Sequence, residues 1–161
     1  MKTEKNDILT ILFWTNFVVY IMHLLDETLM AGGFVSFVQR HFWAGFKITD
    51  FFQANTIWLI VIALSNILYD LLGNRFKFIV AIPMIFVWER FFNALSHMFL
   101  TFYCNEYCPG LVTSLLSYII LYFICRFVVL RGQMQWVIFF ISGIPALIFE
   151  TIFVSSMWWA H

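Results

Sequence analysis

The stretch ILTILFWTNFVVYIMHLLDETLM, residues 8–30, decides the fold, because it is almost wholly apolar and yet carries His23, Asp26 and Glu27 near its end. A helix rises about 1.5 Å per residue, so about 20 apolar residues cross a hydrocarbon layer of roughly 30 Å. The charged lead-in MKTEKND is followed by no small-residue cleavage site, so the run reads as a retained first membrane helix rather than a cleaved leader.

Four more runs of the same kind follow, at residues 53–72, 78–102, 111–130 and 134–158. None alternates in polarity as the strands of a membrane barrel do. The expected fold is therefore all-α: a polytopic membrane protein, one compact bundle of five transmembrane helices with residues 1–161 as a single domain. The links near Gly73, Cys108 and Arg131 are tight, which makes sequential helices antiparallel neighbours. The first link is longer. AGGFVSFVQRHFWAGFKITDFF is apolar but punctuated by Gly32, Gly33 and Gly45, and it predicts a short interfacial helix or a loop folded over one mouth of the bundle. Pro83 and Pro145 stand near the starts of the third and fifth runs, where an altered first turn costs little.

Composition agrees with a lipid solvent. Of 161 residues 63% are hydrophobic and 11% charged, against roughly 25% charged in soluble domains. Nine basic residues balance nine acidic ones, which excludes the basic surface of a nucleic-acid binder. Basic residues also set direction, since they favour the cytoplasmic side. Lys2, Lys5, Arg75, Lys77, Arg126 and Arg131 fall on one side, against Arg40 and Lys47 on the other. The expectation is a protein integral to the cell membrane, N-terminus cytoplasmic and C-terminus outside. Cys104 and Cys108 bracket a loop on the outer side, where they either pair or remain two unpaired thiols.

The polar residues inside these runs carry the functional signal. His23 and Glu27 are four apart and share a helical face, with Asp26 beside them. In VWERFFNALSH, Glu89, Asn93 and His97 repeat at intervals of four, with Arg90 next to the stripe. Counted from the cytoplasmic end, His23 and Glu27 lie roughly 20–30 Å up, with Asn93 and His97 in about the same layer of the outer half and Glu150 slightly lower. Ionisable groups in hydrocarbon turn inward, and so many acids in one layer call for a cation: Arg90, protons or a metal. Two imidazoles with carboxylates suit a divalent first-row ion such as zinc, iron or manganese. The candidate ligands are His23, Asp26, Glu27, His97 and Glu150. Glu27, Glu89 and Asn93 are the candidates for chemistry, and Arg90, Tyr107 and Thr113 for substrate or supporting contacts.

HLLDE at residues 23–27, NALSH at 93–97, YCPG at 107–110 and Thr113 resemble, in this order, the signature of the HXXEE-domain family of membrane proteins. The resemblance spans roughly residues 12–158 and singles out His23, Glu27, Asn93, His97, Tyr107, Pro109, Gly110 and Thr113. Asp26 stands where the motif has its first glutamate, keeping the charge on a shorter arm. What the resemblance implies is a membrane site, without a particular reaction.

Three functions remain open on the residues. A metal-dependent intramembrane hydrolase would act on a membrane lipid or another amphiphilic small molecule, with Glu27 or Glu89 taking a proton from water. A small ion- or proton-coupled transport protein, requiring a homo-oligomer, would need a polar route to both faces. In an accessory subunit of a membrane complex, the same network would fix helix register for a membrane-protein partner. The inner half offers a route only Ser65, Asn66 and Asp70.

Overall fold

The computed structural model describes residues 7–132 and 134–159. Lys2 and Lys5, which count toward the direction above, lie outside the described residues. All regular structure among the described residues is helical. Helix α1 covers Asp7–Leu29, α2 Phe34–His41 and α3 Ile48–Leu72. A 3-10 turn at Lys77–Val80 leads into α4, Ala81–Cys104, so Pro83 falls in the first α turn, where no intrahelical donor is lost.

The fourth and fifth runs are broken helices. Helix α5 covers Leu111–Ser114 and α6 Leu116–Ile124, extended by a π turn at Cys125–Val129. Helix α7, Trp136–Ile141, ends where Ser142 turns its hydroxyl back to the Phe139 carbonyl. Helix α8, Gly143–Trp159, restarts with Pro145 in its first turn. Helix α3 begins five residues before the expected Gln53, because Asp50 sits in its first turn, favourable at the positive end of a helix, and Phe51 is buried.

Five spans are long and apolar enough to cross a membrane: Ile8–Leu29, Ile48–Leu72, Lys77–Cys104, Leu111–Val129 and Trp136–Ser156. Their outward faces suit insertion in a bilayer. Ile11, Val18 and Leu25 on α1, Ile57, Ile60 and Leu64 on α3, and Ile144, Ile148 and Ile152 on α8 are all exposed. Helix α4 is the most enclosed, packing against α8, α6, α5 and α3. It therefore lies central to the bundle, which is why its polar stripe is buried on every side.

Two apolar layers bracket a polar one. Toward the N-terminal end of α1, Leu9 and Phe13 pack with Met84, Val87, Ile124 and Val128. At the other end α2 forms a roof, with Phe34, Phe37 and Val38 packed on Phe51, Leu100 and Cys108. The long first link thus contains a short helix lying over the bundle. It is tied to the link after α4 at Glu106, whose carboxylate accepts from Arg40 and lies 2.7 Å from His41 Nε2. The half of the bundle at the N-terminal end of α1 has its own ties: Thr10 and Trp14 donate to Asp70 at 3.1 and 2.9 Å, and Asn66 donates to the Phe13 carbonyl at 3.1 Å.

Candidate metal centre

His23, Glu27 and His97 meet between the two apolar layers. One ligand atom from each lies within 4.8 Å of the others, and all three residues are buried. Glu27 Oε1 stands 3.4 Å from His23 Nε2 and 3.3 Å from His97 Nε2. The imidazole rings meet edge to face, 4.9 Å between centroids. Zinc–ligand bonds of about 2.0–2.1 Å at tetrahedral angles place neighbouring ligand atoms about 3.3–3.4 Å apart, so the two measured separations fit such a set without rearrangement.

Each imidazole is steered by its other nitrogen. His23 Nδ1 lies 3.1 Å from the Gly110 carbonyl, which can only accept, so Nδ1 carries the proton. A neutral His23 then presents its Nε2 lone pair to the group. That atom is buried without a hydrogen-bond partner. His97 Nδ1 is 3.2 Å from Cys108 Sγ, a thiol whose pKa burial pushes up, so it keeps its proton. Outer contacts of this kind fix ring orientation in metal-binding histidines.

The loop after α4 closes directly on the trio. Gly110 has φ +95°, and a Cβ there would lie 2.6 Å from His23 Cε1, 2.7 Å from Glu27 Cγ and 2.8 Å from His97 Cε1. Only glycine combines that backbone with that closeness. Asp26 holds the loop down. Its Oδ2 accepts from the Thr113 hydroxyl at 2.8 Å and the Thr113 amide at 3.2 Å, while Tyr107 approaches Oδ1 at 3.5 Å. The Thr113 oxygen in turn lies 3.3 Å from His23 Nδ1. Within HLLDE, His23 and Glu27 therefore face inward, and Asp26, one residue round the helix, faces the loop.

Four of the other expected site residues stand beside the trio on the wall of one cavity. Glu89 is engaged by Arg90, whose Nε is 2.5 Å from Oε2 and whose Nη2 contacts Oε1. The guanidinium also lies 4.1 Å over the Tyr20 ring, and the Tyr20 hydroxyl donates to Asn55. Glu89, Arg90, Asn93 and Glu150 line a cavity of about 290 Å³ that reaches His23 and Glu27. The rest of its wall is largely aromatic, including Phe34, Phe51, Trp58, Phe149 and Phe153.

Placement sorts the expected ligands. His23, Glu27 and His97 come together, whereas Asp26 turns to Thr113 because it is one residue off the shared face, and Glu150 stands at the cavity wall on α8. Glu89 is held by Arg90 and is not presented as a free base. Cys104 and Cys108 are both free, since Cys108 is turned inward to His97. The sequence reading missed Cys108 as a support for His97 and Tyr20 as the platform for Arg90. Tyr20 did carry a signal, standing three residues before His23 on one helical face.

Fold and site together define an all-helical, membrane-suited bundle with a buried His/Glu/His group that can hold a metal ion. The chain belongs to the family described as protein of unknown function with HXXEE motif, which matches residues 14–125 and so includes every member of that group. No curated protein and no solved structure matches the chain.

Proposed function

We propose that this protein is a metal-dependent intramembrane hydrolase that binds a divalent first-row ion at His23, Glu27 and His97 and acts on an amphiphile in the adjoining cavity. One observation carries the reading. Where its Nδ1 donates to Gly110, a neutral His23 would set its Nε2 lone pair 3.4 Å from the Glu27 carboxylate, so that two acceptors would face one another in a buried site. A cation between them relieves that opposition. Three protein ligands leave a further coordination position open, which is the pattern of catalytic rather than structural sites.

A bound ion of this class supplies Lewis acidity and an acidified water at neutral pH. The protein's own groups then divide the work. Glu27 is the carboxylate placed to receive a proton at that position, and Asn93 offers a buried, unpartnered Oδ1 from the cavity wall. Arg90 and Glu89 neutralise one another beside it. Aromatic walls exclude water and suit an acyl chain. A transport role has less support, because Asn66 and Asp70 in the inner half are spent on helix-to-helix hydrogen bonds.

The same proposal puts the N-terminus in the cytoplasm, with the α2 roof and the link at residues 105–110 outside. Cysteines introduced one at a time at the exposed Asn105 and Asn74 test it: N105C labels from outside and N74C from inside, and the reverse pattern overturns the orientation.

Elemental analysis of the full chain, purified in neutral detergent from cells supplied with zinc, iron and manganese, tests the centre. The expected result is about one equivalent of a single metal, lost in His23→Ala and in His97→Ala, with release of fatty acid from amphiphilic esters or amides lost in parallel. A wild-type protein free of metal after that supplementation sinks the reading.

A further inference from the structure

We infer that the cavity beside the trio selects an amphiphile with an ammonium head group, in preference to an anionic or uncharged one. The inference rests on reading that cavity as the substrate site, and it names the head group. Buried polar atoms without partners are rare and ask for an explanation. Four of the five found among the described residues, on His23, Trp58, Asn93 and Glu150, belong to residues lining this one cavity. Their side chains are not idle surface: Asn93 is 8% exposed, Glu150 5% and His23 2%.

The chemistry of those atoms is lopsided. Asn93 Oδ1, Glu150 Oε1 and the His23 Nε2 lone pair accept, while only the Trp58 indole donates. With the ion bound, His23 is satisfied, while Asn93 Oδ1 and Glu150 Oε1 are still without a donor. An ammonium supplies three N–H donors and a charge. A carboxylate or phosphate supplies neither.

Charge points the same way. The ionisable groups on the cavity wall are His23, Glu27, Asp50, Glu89, Glu150, Tyr20 and Arg90, from α1, α3, α4 and α8. With His23 given to the ion, the remaining basic group, Arg90, is spent on Glu89 and stacked on Tyr20. Even with a divalent ion on Glu27, the wall is left with no spare positive charge, because Glu27, Asp50 and Glu89 already balance the ion and Arg90. Aromatic faces on the wall add cation–π attraction.

Size and access narrow the ligand further. About 290 Å³ holds a small head group and the start of one chain, at the low end of small-molecule sites. The wall meets the lipid-facing surface at Ala54 and Ile57 on α3 and Phe149 on α8, all exposed. There Trp58 and Phe149 stack across the two helices, 4.4 Å between centroids. A single chain passing beside that stack keeps its tail in lipid and its head on Asn93 and Glu150.

The test uses the full chain in phosphatidylcholine nanodiscs and chain-brominated dodecylamine, dodecanol and dodecanoate as quenchers of tryptophan fluorescence. The amine is expected to give saturable quenching at least about ten-fold tighter than the alcohol, with none from the carboxylate. Glu150→Gln weakens the amine about ten-fold, the size of one charge-assisted hydrogen bond, and Trp58→Phe removes most of the quench. Equal or tighter binding of the carboxylate, or amine binding unchanged in both Glu150→Gln and Asn93→Ala, overturns the inference. Phosphatidylethanolamine doped into the discs separates two sources of the same chemistry: competition assigns the ammonium to a phospholipid, lack of competition to a single-chain amine, and either result upholds the site. Metal content measured on the same samples keeps the two readings apart, since a metal-free protein that still selects the amine fails only as a metalloenzyme.

Discussion

Two clusters in this chain are built from the same residue types and do opposite things. At the roofed end of the bundle, the exposed Glu106 accepts from Arg40 through one oxygen and meets His41 through the other, each acceptor facing a donor. In the interior, Glu27 faces His23 and His97 through a single oxygen, and because His23 Nδ1 is turned to Gly110, a neutral ring would set its Nε2 lone pair against that oxygen. The outer cluster is complete without a ligand and ties α2 to the link after α4. The inner one brings its ligand atoms close enough to hold a metal ion. Satisfaction of lone pairs, more than residue identity, separates a strap from a binding site.

Removing the carboxylate charge from each cluster breaks the comparison most directly. Glu27→Gln is expected to weaken metal binding by more than about 100-fold, beyond the loss usual for an outer-contact residue. Without metal the same variant should melt no lower than wild type, because it removes an acceptor from an opposed pair. A metal-free Glu27→Gln protein that melts well below wild type, with metal affinity intact, would make Glu27 a structural ion-pair partner like Glu106.

Gly110→Ala comes next. The φ of +95° costs an L-residue roughly 1–2 kcal/mol, and the added methyl would sit under 3.0 Å from three site side chains. The loop must lift, taking its carbonyl from His23. The expected outcome is a lower melting temperature together with metal loss. A variant with wild-type metal affinity would show that the loop does not orient His23.

Much of this was legible in the sequence, for physical reasons. Apolar run length places the five spans because lipid leaves a helix no other way to satisfy its backbone. The period of four in Glu89, Asn93 and His97, and in His23 and Glu27, places their faces, since one helical turn fixes them. The division of labour within HLLDE was legible only in part. The spacing of four puts Glu27 with His23, but only the position of Thr113 at the start of the next helix shows what Asp26 holds. Cys108 was hidden by the loop before that helix, because no helical period links a turn to the side chains beneath it. The break at Leu115 is also tertiary, as no proline or run of glycines stands there, whereas the break at Ser142 has a local cause in Gly143 and in Pro145, which crowds the Ile141 carbonyl.

A smaller effect sharpens the role of that loop. Thr113→Val keeps shape but removes the hydroxyl that joins Asp26 to His23 Nδ1. Metal affinity should fall about 10- to 100-fold, as for other outer contacts of a ligand histidine, while Gly110 still holds the ring. Competition with a chelator of known affinity measures it, and Thr113→Ser should restore most of the loss. An unchanged affinity in Thr113→Val would confine Asp26 to closing the loop.

The smallest effect belongs to the outer strap, and its sign follows from linkage. Hydrogen bonds from His41 and Arg40 hold the Glu106 carboxyl below the ordinary carboxylate range. A lowered folded-state pKa contributes stability that is fully present above the unfolded value and is lost as pH falls through the folded one. Melting temperature of the wild type should therefore drop on acidification through that window by slightly more than that of Glu106→Gln, and the two curves should converge at its acid end. The difference should shrink in high salt, because the pair is solvent-exposed. Metal content should be the same in both proteins at neutral pH. A Glu106→Gln protein that loses metal would mean that the roof, and not only the loop beneath it, sets the geometry of the trio.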